Sequence, residues 1–186
     1  MAKTKLFVFS APSGAGKTTI VKDILKSFPD FKFSVSATTR KKRPGEIDGV
    51  DYYFITEDEF KRKIQNNEFV EWEKFYDYYY GTLKKTVDEN LSNGYTTIFE
   101  VDVKGALNIK KVYPDAVLIF IVPPSIDELK ERLKKRNTET DEDLRKRLER
   151  AEMELSYKDK FDYVVENINL EEAKEKVKKI IEKEIS

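Results

Sequence analysis

Residues 5–25 read KLFVFSAPSGAGKTTIVKDIL, and the reading of this stretch decides the fold class. Lys5 to Ala11 is an unbroken run of mostly apolar, aromatic and β-branched residues, the pattern of a strand buried on both faces. Pro12 to Gly16 breaks the run, and from Lys17 the apolar positions Ile20, Val21, Ile24 and Leu25 recur at helical spacing until Pro29. A strand, a glycine turn and a helix in that order are the setting of a phosphate-binding loop. Ala11-Pro12-Ser13-Gly14-Ala15-Gly16-Lys17-Thr18, followed by Thr19, supplies it. Glycines let backbone N–H groups close around phosphate oxygens, and the helix N-terminus adds partial positive charge. In that pattern Lys17 reaches the β and γ phosphates of a nucleotide and Thr18 places its hydroxyl on Mg²⁺. Ala11 stands where the strict pattern has glycine, a change that matters only if the backbone there needs positive φ.

Outward from this unit, Thr96 to Asp102 (TTIFEVD) and Ala116 to Val122 (AVLIFIV) repeat the buried-strand signature, and Asp162 to Val165 is a shorter candidate. Helical patterns follow or separate them at Leu83–Asn93, Lys104–Tyr113, Ser125–Arg136, Asp141–Tyr157 and Leu170–Ile185. Strands alternating with helices predict an α/β, three-layer fold with a central parallel sheet and helices on both faces. Residues 33–82 interrupt the alternation with a dense aromatic content, the loop KKRPGEIDG, a short helix near Glu57 to Asn66 and the segment FVEWEKFYDYYYG. They are expected to form a subdomain inserted at the sheet's carboxyl edge.

Composition narrows the chemistry. The chain has 186 residues, with 35 Lys and Arg against 35 Asp and Glu, so 35 − 35 leaves a formal net charge of zero. It has no histidine and no cysteine, which excludes an imidazole base, a thiol nucleophile, a His- or Cys-ligated metal and a disulfide. Catalysis must therefore use carboxylates, Lys, Arg, Tyr, Ser or Thr. A 39% hydrophobic and 12% aromatic content is that of one globular domain. Zero net charge gives no global attraction to nucleic acid or to a membrane surface. The apolar stretch Leu6 to Phe9 is too short for a signal peptide, and no segment has the roughly 20 apolar residues that span a bilayer, so a cytoplasmic protein is expected.

The arginines carry more information than the total charge. Of 35 cations only eight are Arg, so Lys is the default surface cation and Arg marks places that need a planar, bidentate fork. Arg40 and Arg43 lie in the insert. Arg132 and Arg136 are four apart on one helical pattern, and Arg147 follows the polar break Asn137-Thr138-Glu139-Thr140. Glu128 and Asp143, each four residues ahead of one of these arginines, also allow plain i,i+4 ion pairs. Glu100 and Asp102, two apart on a predicted strand, are expected to share a direction near its carboxyl end.

Three groups of residues in order, Ser34-Val-Ser36-Ala-Thr-Thr-Arg40-Lys-Lys-Arg43-Pro-Gly45-Glu-Ile-Asp-Gly49-Val-Asp-Tyr52, Glu71-Trp72 and Tyr79-Tyr80-Gly81-Thr82, closely resemble the nucleotide-monophosphate-binding region of guanylate kinases. The resemblance runs from the phosphate loop to the final helix. It implies a core of residues 1–32, 83–136 and 148–186, a GMP-binding subdomain at 33–82 and a lid at 137–147. It further implies that Arg40, Arg43, Tyr52 and Tyr80 hold the GMP phosphate, a use that suits two arginine forks and two uncharged hydroxyls. Ser36, Glu71, Thr82 and Asp102 would read the base: guanine offers two adjacent donors, and an ionised carboxylate only accepts. On sequence alone Glu71 could also be an exposed residue of an edge strand; the resemblance favours the base-binding role. Arg132, Arg136 and Arg147 resemble lid arginines that meet the transferring phosphoryl group.

The chain departs from the family pattern at Glu100, usually aspartate, which would hold Mg²⁺ through water; at Lys104, usually glutamine; and at Asn137, often glycine. What the resemblance implies is phosphorylation of GMP, and of dGMP, to the diphosphate with ATP as donor and Mg²⁺ as cofactor, by a monomer or small homo-oligomer. Three other readings compete. Asp102-Val103-Lys104-Gly105 matches a DxxG pattern of switch GTPases, but their Asn-Lys-x-Asp signature is absent. Scaffold domains of the same fold bind phosphopeptides, and other monophosphate kinases take AMP or a ribose bisphosphate.

Overall fold

A computed structural model describes residues 4–75, 77–134 and 141–186 of the chain. In chain order its elements are β1 (Leu6–Ser10), α1 (Lys17–Ser27), β2 (Lys32–Phe33), β3 (Ala37–Thr38), β4 (Tyr53–Phe54), α2 (Glu57–Gln65), β5 (Phe69–Phe75) and β6 (Tyr78–Leu83). They continue with α3 (Lys84–Ser92), β7 (Thr97–Glu100), α4 (Val103–Val112), β8 (Val117–Val122), α5 (Ile126–Lys134), α6 (Asp141–Leu155), β9 (Tyr163–Glu166) and α7 (Leu170–Ile185).

The central sheet is parallel throughout, in the order β2-β7-β1-β8-β9. Alternation along β1 explains its unbroken apolar sequence. Phe7 and Phe9 point to one face, against Ile20, Val21 and Ile24 of α1 and Ala173, Val177 and Ile181 of α7. Leu6 and Val8 point to the other, against Val87 of α3 and Val103, Ala106 and Ile109 of α4. With both faces covered, β1 is apolar except at Ser10, its last residue, which is fully buried with no hydrogen-bond partner for its Oγ among the described residues. The three-layer architecture expected from the sequence is therefore present. β7 and β8 lie on opposite sides of β1, so the connections reverse at its carboxyl end, the place where open α/β sheets bind ligands.

One local expectation is corrected. The buried strand read as Thr96–Asp102 stops at Glu100, and Asp102 is the N-cap of α4, its carboxylate accepting from Gly105 N–H at 2.7 Å. Asp102 therefore does not continue the strand's alternation with Glu100. A cap satisfies one of the N–H groups that a helix start leaves unpaired, and that gain outweighs two more residues of strand.

The insert folds around a second sheet, ordered β4-β3-β6-β5, in which the β5–β6 hairpin is antiparallel. Its core is Ala37, Phe60 of α2 and Phe69, with the two phenyl rings stacked at 4.3 Å. Register shifts between Phe69 and Glu71. Phe69 serves this small core, while Val70 joins Val103 and Ala106 in the main core, which ties the insert to the central sheet. Leu129 and Leu133 of α5 pack on Ala151, Leu144 and Leu148 of α6, holding the two late helices together. Arg136 and Asn137 lie outside the described residues.

Candidate active site

At the carboxyl end of β1 the chain makes the turn that the glycines require. Gly14 and Gly16 have φ of 90° and 98°, in the left-handed region that residues with a Cβ avoid. A Cβ on Gly16 would collide with the side-chain amide of Asn167, which donates to the Ala15 carbonyl at 2.8 Å. Asn167, in the turn between β9 and α7, thus braces the loop from behind. Ala11 is buried in the core and has no positive φ, so alanine meets the demand at that position. Lys17 Nζ donates to the Val101 carbonyl at 3.3 Å and lies 3.7 Å from Glu100. Thr18 donates its hydroxyl to Glu100, whose longer side chain reaches the loop from the end of β7.

A cleft of about 540 Å³ extends from this loop to the insert. Ser36, Arg43, Tyr52, Glu71, Tyr80, Glu100, Asp102 and Arg147 line it together with the loop residues Ala11, Pro12, Ser13, Gly14, Gly16, Lys17, Thr18 and Thr19. Ala15 is fully buried beneath the loop. Arg40 and Thr82 stand just behind the lining. Arg40 forks onto Glu46 at 2.7 and 3.1 Å and lies 5.4 Å from the Tyr52 ring centroid. Glu46 also accepts from the Arg43 N–H at 2.7 Å, and the Tyr52 and Tyr80 rings meet edge to face at 6.0 Å. This corner is thus rigid before any ligand arrives. Burial pushes the Tyr52 hydroxyl's pKa up, which keeps it a neutral donor.

Glu71 does lie on an edge strand, β5, but is only 9% exposed, so the reading of it as an exposed residue does not hold. Thr82, opposite it on β6, donates its hydroxyl at 2.6 Å. Burial pushes the Glu71 carboxyl up to about 7, the Thr82 hydrogen bond opposing the shift and the nearby Asp102 charge adding to it. The backbone of Gly105 approaches so closely that a Cβ there would lie 3.0 Å from Glu71 Oε2.

The late arginines divide. Arg147 of α6 faces the cleft. Arg132 of α5 does not line it; Glu128 takes its Nε at 3.0 Å and the Asn167 carbonyl its Nη2 at 3.2 Å, beside the brace of the phosphate loop. Arg136 is outside the described residues. Sequence reasoning missed Glu73, Phe75, Arg150 and Glu154, which also line the cleft. The i,i+3 step from Arg147 to Arg150 was the available signal, but the partners on β5 depend on tertiary contacts.

The arrangement has an anion-binding end, where backbone N–H groups, Lys17 and arginines converge, and a carboxylate end built to accept hydrogen bonds. Hydroxyl and carboxylate oxygens of Thr18 and Glu100 are the hard donors a magnesium ion takes, and among the described residues no three His, Cys, Asp or Glu side chains are grouped so as to hold a metal ion by themselves. This suits an ion held mainly by substrate phosphates and water.

A sequence model of the family described as guanylate kinase matches residues 3–184. The guanylate kinase of Caldanaerobacter subterraneus subsp. tengcongensis is 49% identical over 176 residues, 95% of this chain and 85% of that relative. That of Thermotoga maritima is 48% identical over 182 residues, 98% of this chain and 88% of the relative. The crystal structure of guanylate kinase from Anaplasma phagocytophilum superposes with a TM-score of 0.81 at 32% identity, covering 99% of this chain and 87% of that one. A shikimate kinase from Bacteroides thetaiotaomicron, at TM-score 0.50 and 12% identity, shares the fold alone.

Proposed function

This chain belongs to the guanylate kinase family and phosphorylates GMP to GDP with ATP, and we propose that it does so in the cleft between the phosphate loop and the insert. The observation that carries this reading is the buried Glu71 carboxylate, fixed by Thr82, on the same cleft as Lys17. Guanine presents N1–H and its 2-amino group as neighbouring donors, which an ionised Glu71 accepts together; adenine presents an acceptor at N1 and is repelled. Ser36, Thr82 and Asp102 complete the base site. Arg40, Arg43, Tyr52 and Tyr80 hold the GMP phosphate, a role supported by the rigid Arg40–Glu46–Tyr52 corner.

ATP lies on residues 11–19, with its transferring phosphoryl group met by Lys17 and Arg147; Arg132 must leave Glu128 and the Asn167 carbonyl to join them, and Arg136, expected beside it, lies outside the described residues. A GMP phosphate oxygen attacks the γ-phosphorus in line, and as that P–O bond forms the bond from the γ-phosphorus to the β,γ-bridging oxygen breaks and ADP leaves. The second pKa of the GMP phosphate is about 6, so the nucleophile is anionic at neutral pH and no general base is needed. That removes the apparent handicap of a chain without histidine. Thr18 directly, and Glu100 through water, are the residues that would hold Mg²⁺, which when bound neutralises charge on the phosphate oxygens. The division into core (1–32, 83–136, 148–186), GMP-binding subdomain (33–82) and lid (137–147) follows, with the separate second sheet supporting the middle unit. No helix among the described residues is long and apolar enough to cross a membrane.

The test is ADP release with GMP, dGMP, AMP, CMP and UMP as acceptors, in the natural chain and in Glu71→Gln. Turnover is expected with GMP and dGMP. In Glu71→Gln the GMP/AMP ratio of kcat/KM should fall at least tenfold, because the amide replaces one acceptor by a donor. An unchanged ratio overturns the base-reading role.

A further inference from the structure

Three elements meet on the cleft wall beside Asp102, and one guanidinium joins them. Arg150 of α6 donates Nε to Glu154 on its own helix at 2.8 Å. Its Nη2 lies 3.4 Å from Asp102 Oδ2 at the start of α4 and 3.7 Å from Glu73 Oε2 on β5. The face of the same group covers the Phe75 ring at 4.0 Å. The Nε and Nη2 donors and one face are engaged at once, a set of contacts that a planar fork makes and an ammonium cannot. The other Asp102 oxygen is fixed by the Gly105 N–H at 2.7 Å, so Arg150 completes the immobilisation of that carboxylate.

Two consequences follow from position. Arg147, one turn earlier on the same helix, also faces the cleft, so whatever fixes α6 against β5 and α4 also sets the aim of Arg147. Arg150 also stands against three carboxylates, Glu73, Asp102 and Glu154, in a cleft that receives two polyanionic nucleotides. Burial first, and the Asp102 carboxylate after it, push Glu73 up to about 8.

We propose that Arg150 is a positioning residue for GMP phosphorylation: it clamps α6 onto β5 and the capped start of α4, holding Asp102 for the base and Arg147 for the phosphoryl group. This rests on the reading of Asp102 and Arg147 given above.

The test compares Arg150→Ala, Arg150→Lys and Arg150→Ala with Glu73→Gln, measuring kcat, KM for GMP and KM for ATP, with thermal unfolding as a check of folding. Arg150→Ala should raise KM for GMP about tenfold and lower kcat about tenfold, with KM for ATP within about twofold of the natural chain. Arg150→Lys should be equally impaired. At pH 9, above the Glu73 value of about 8, adding Glu73→Gln removes a negative charge that the loss of Arg150 leaves uncompensated and should return KM for GMP to within about threefold while kcat stays low. A residue that only packs α6 would shift the melting temperature and show no rescue. Natural constants in either single variant, or impairment without rescue, overturn the clamp; if Arg150→Ala does not fold, Arg150→Lys decides. Asp102→Asn and Arg147→Ala separate the two levels. If both leave GMP phosphorylation intact, the site reading fails; if both impair it while Arg150→Ala does not, only the clamp fails.

Discussion

Lys17 works through position and charge, not through proton transfer. It hangs between the Val101 carbonyl at 3.3 Å and Glu100 at 3.7 Å, within reach of the loop whose glycines turn backbone N–H groups inward. Its charge opposes the negative charge that gathers on the transferring phosphoryl group, and in a cleft screened from water that interaction is strong. Lys17→Ala should therefore lower kcat by about a thousandfold, while GMP, bound by the insert, keeps its Kd within about threefold. Stopped-turnover kinetics and calorimetric titration with GMP check the two halves separately; full kcat in the variant would remove Lys17 from the reaction. The neighbouring Ala11 illustrates the opposite case. Its deviation from the glycine pattern has no consequence, because the backbone there is not left-handed.

At the scale of elements, Gly81 decides how the insert closes. A Cβ at this position of β6 would lie 2.8 Å from Cδ1 of Phe69, whose ring is stacked between the hairpin and Phe60 of α2. Gly81→Ala must push that ring off its partner, an overpacking that should cost about 1–3 kcal/mol in denaturant unfolding and raise KM for GMP more than KM for ATP. Equal effects on both substrates would mean that the insert is not an independent unit. The insert was also where the sequence was least legible. β1 and β8 could be read because burial on both faces leaves an unbroken apolar run, and the phosphate loop because backbone geometry restricts its residues. β3 and β4 are two residues each and carry no periodicity to read. The shift at Phe69–Glu71 changes the pairing register of the hairpin, which nothing in the alternation of the sequence marks. Asp102 read as strand because Ile98, Phe99 and Val101 carry the β-rich pattern up to its cap, and Arg150 was silent because its partners Glu73 and Asp102 come from distant elements.

For the whole molecule, the zero net charge hides a cost concentrated at the cleft. Glu71, Glu73 and Glu154 are all raised chiefly by burial, so the folded chain keeps protons on them at pH values where the unfolded chain has lost them. Where the folded state binds more protons, stability falls as pH rises. For Glu71 the cost is absent below about 4.5, grows between 4.5 and about 7, and is constant above; that interval corresponds to roughly 3 kcal/mol. Glu46, Glu57 and Glu68, whose values are lowered by Arg40, Lys61 and Lys63, act in the opposite sense at lower pH and titrate equally in both proteins, so they cancel in a comparison with Glu71→Gln. The variant should thus be more stable than the natural chain by about 1–2 kcal/mol at pH 8, part of the gain being lost to burial of the amide, and the difference should shrink as pH falls to 4.5. Chemical unfolding of both proteins across that range measures it directly. A pH-independent difference would mean that Glu71 is not the strained, buried acceptor on which guanine recognition depends; the expected slope would show the free protein giving up stability to keep that carboxylate ready for its substrate.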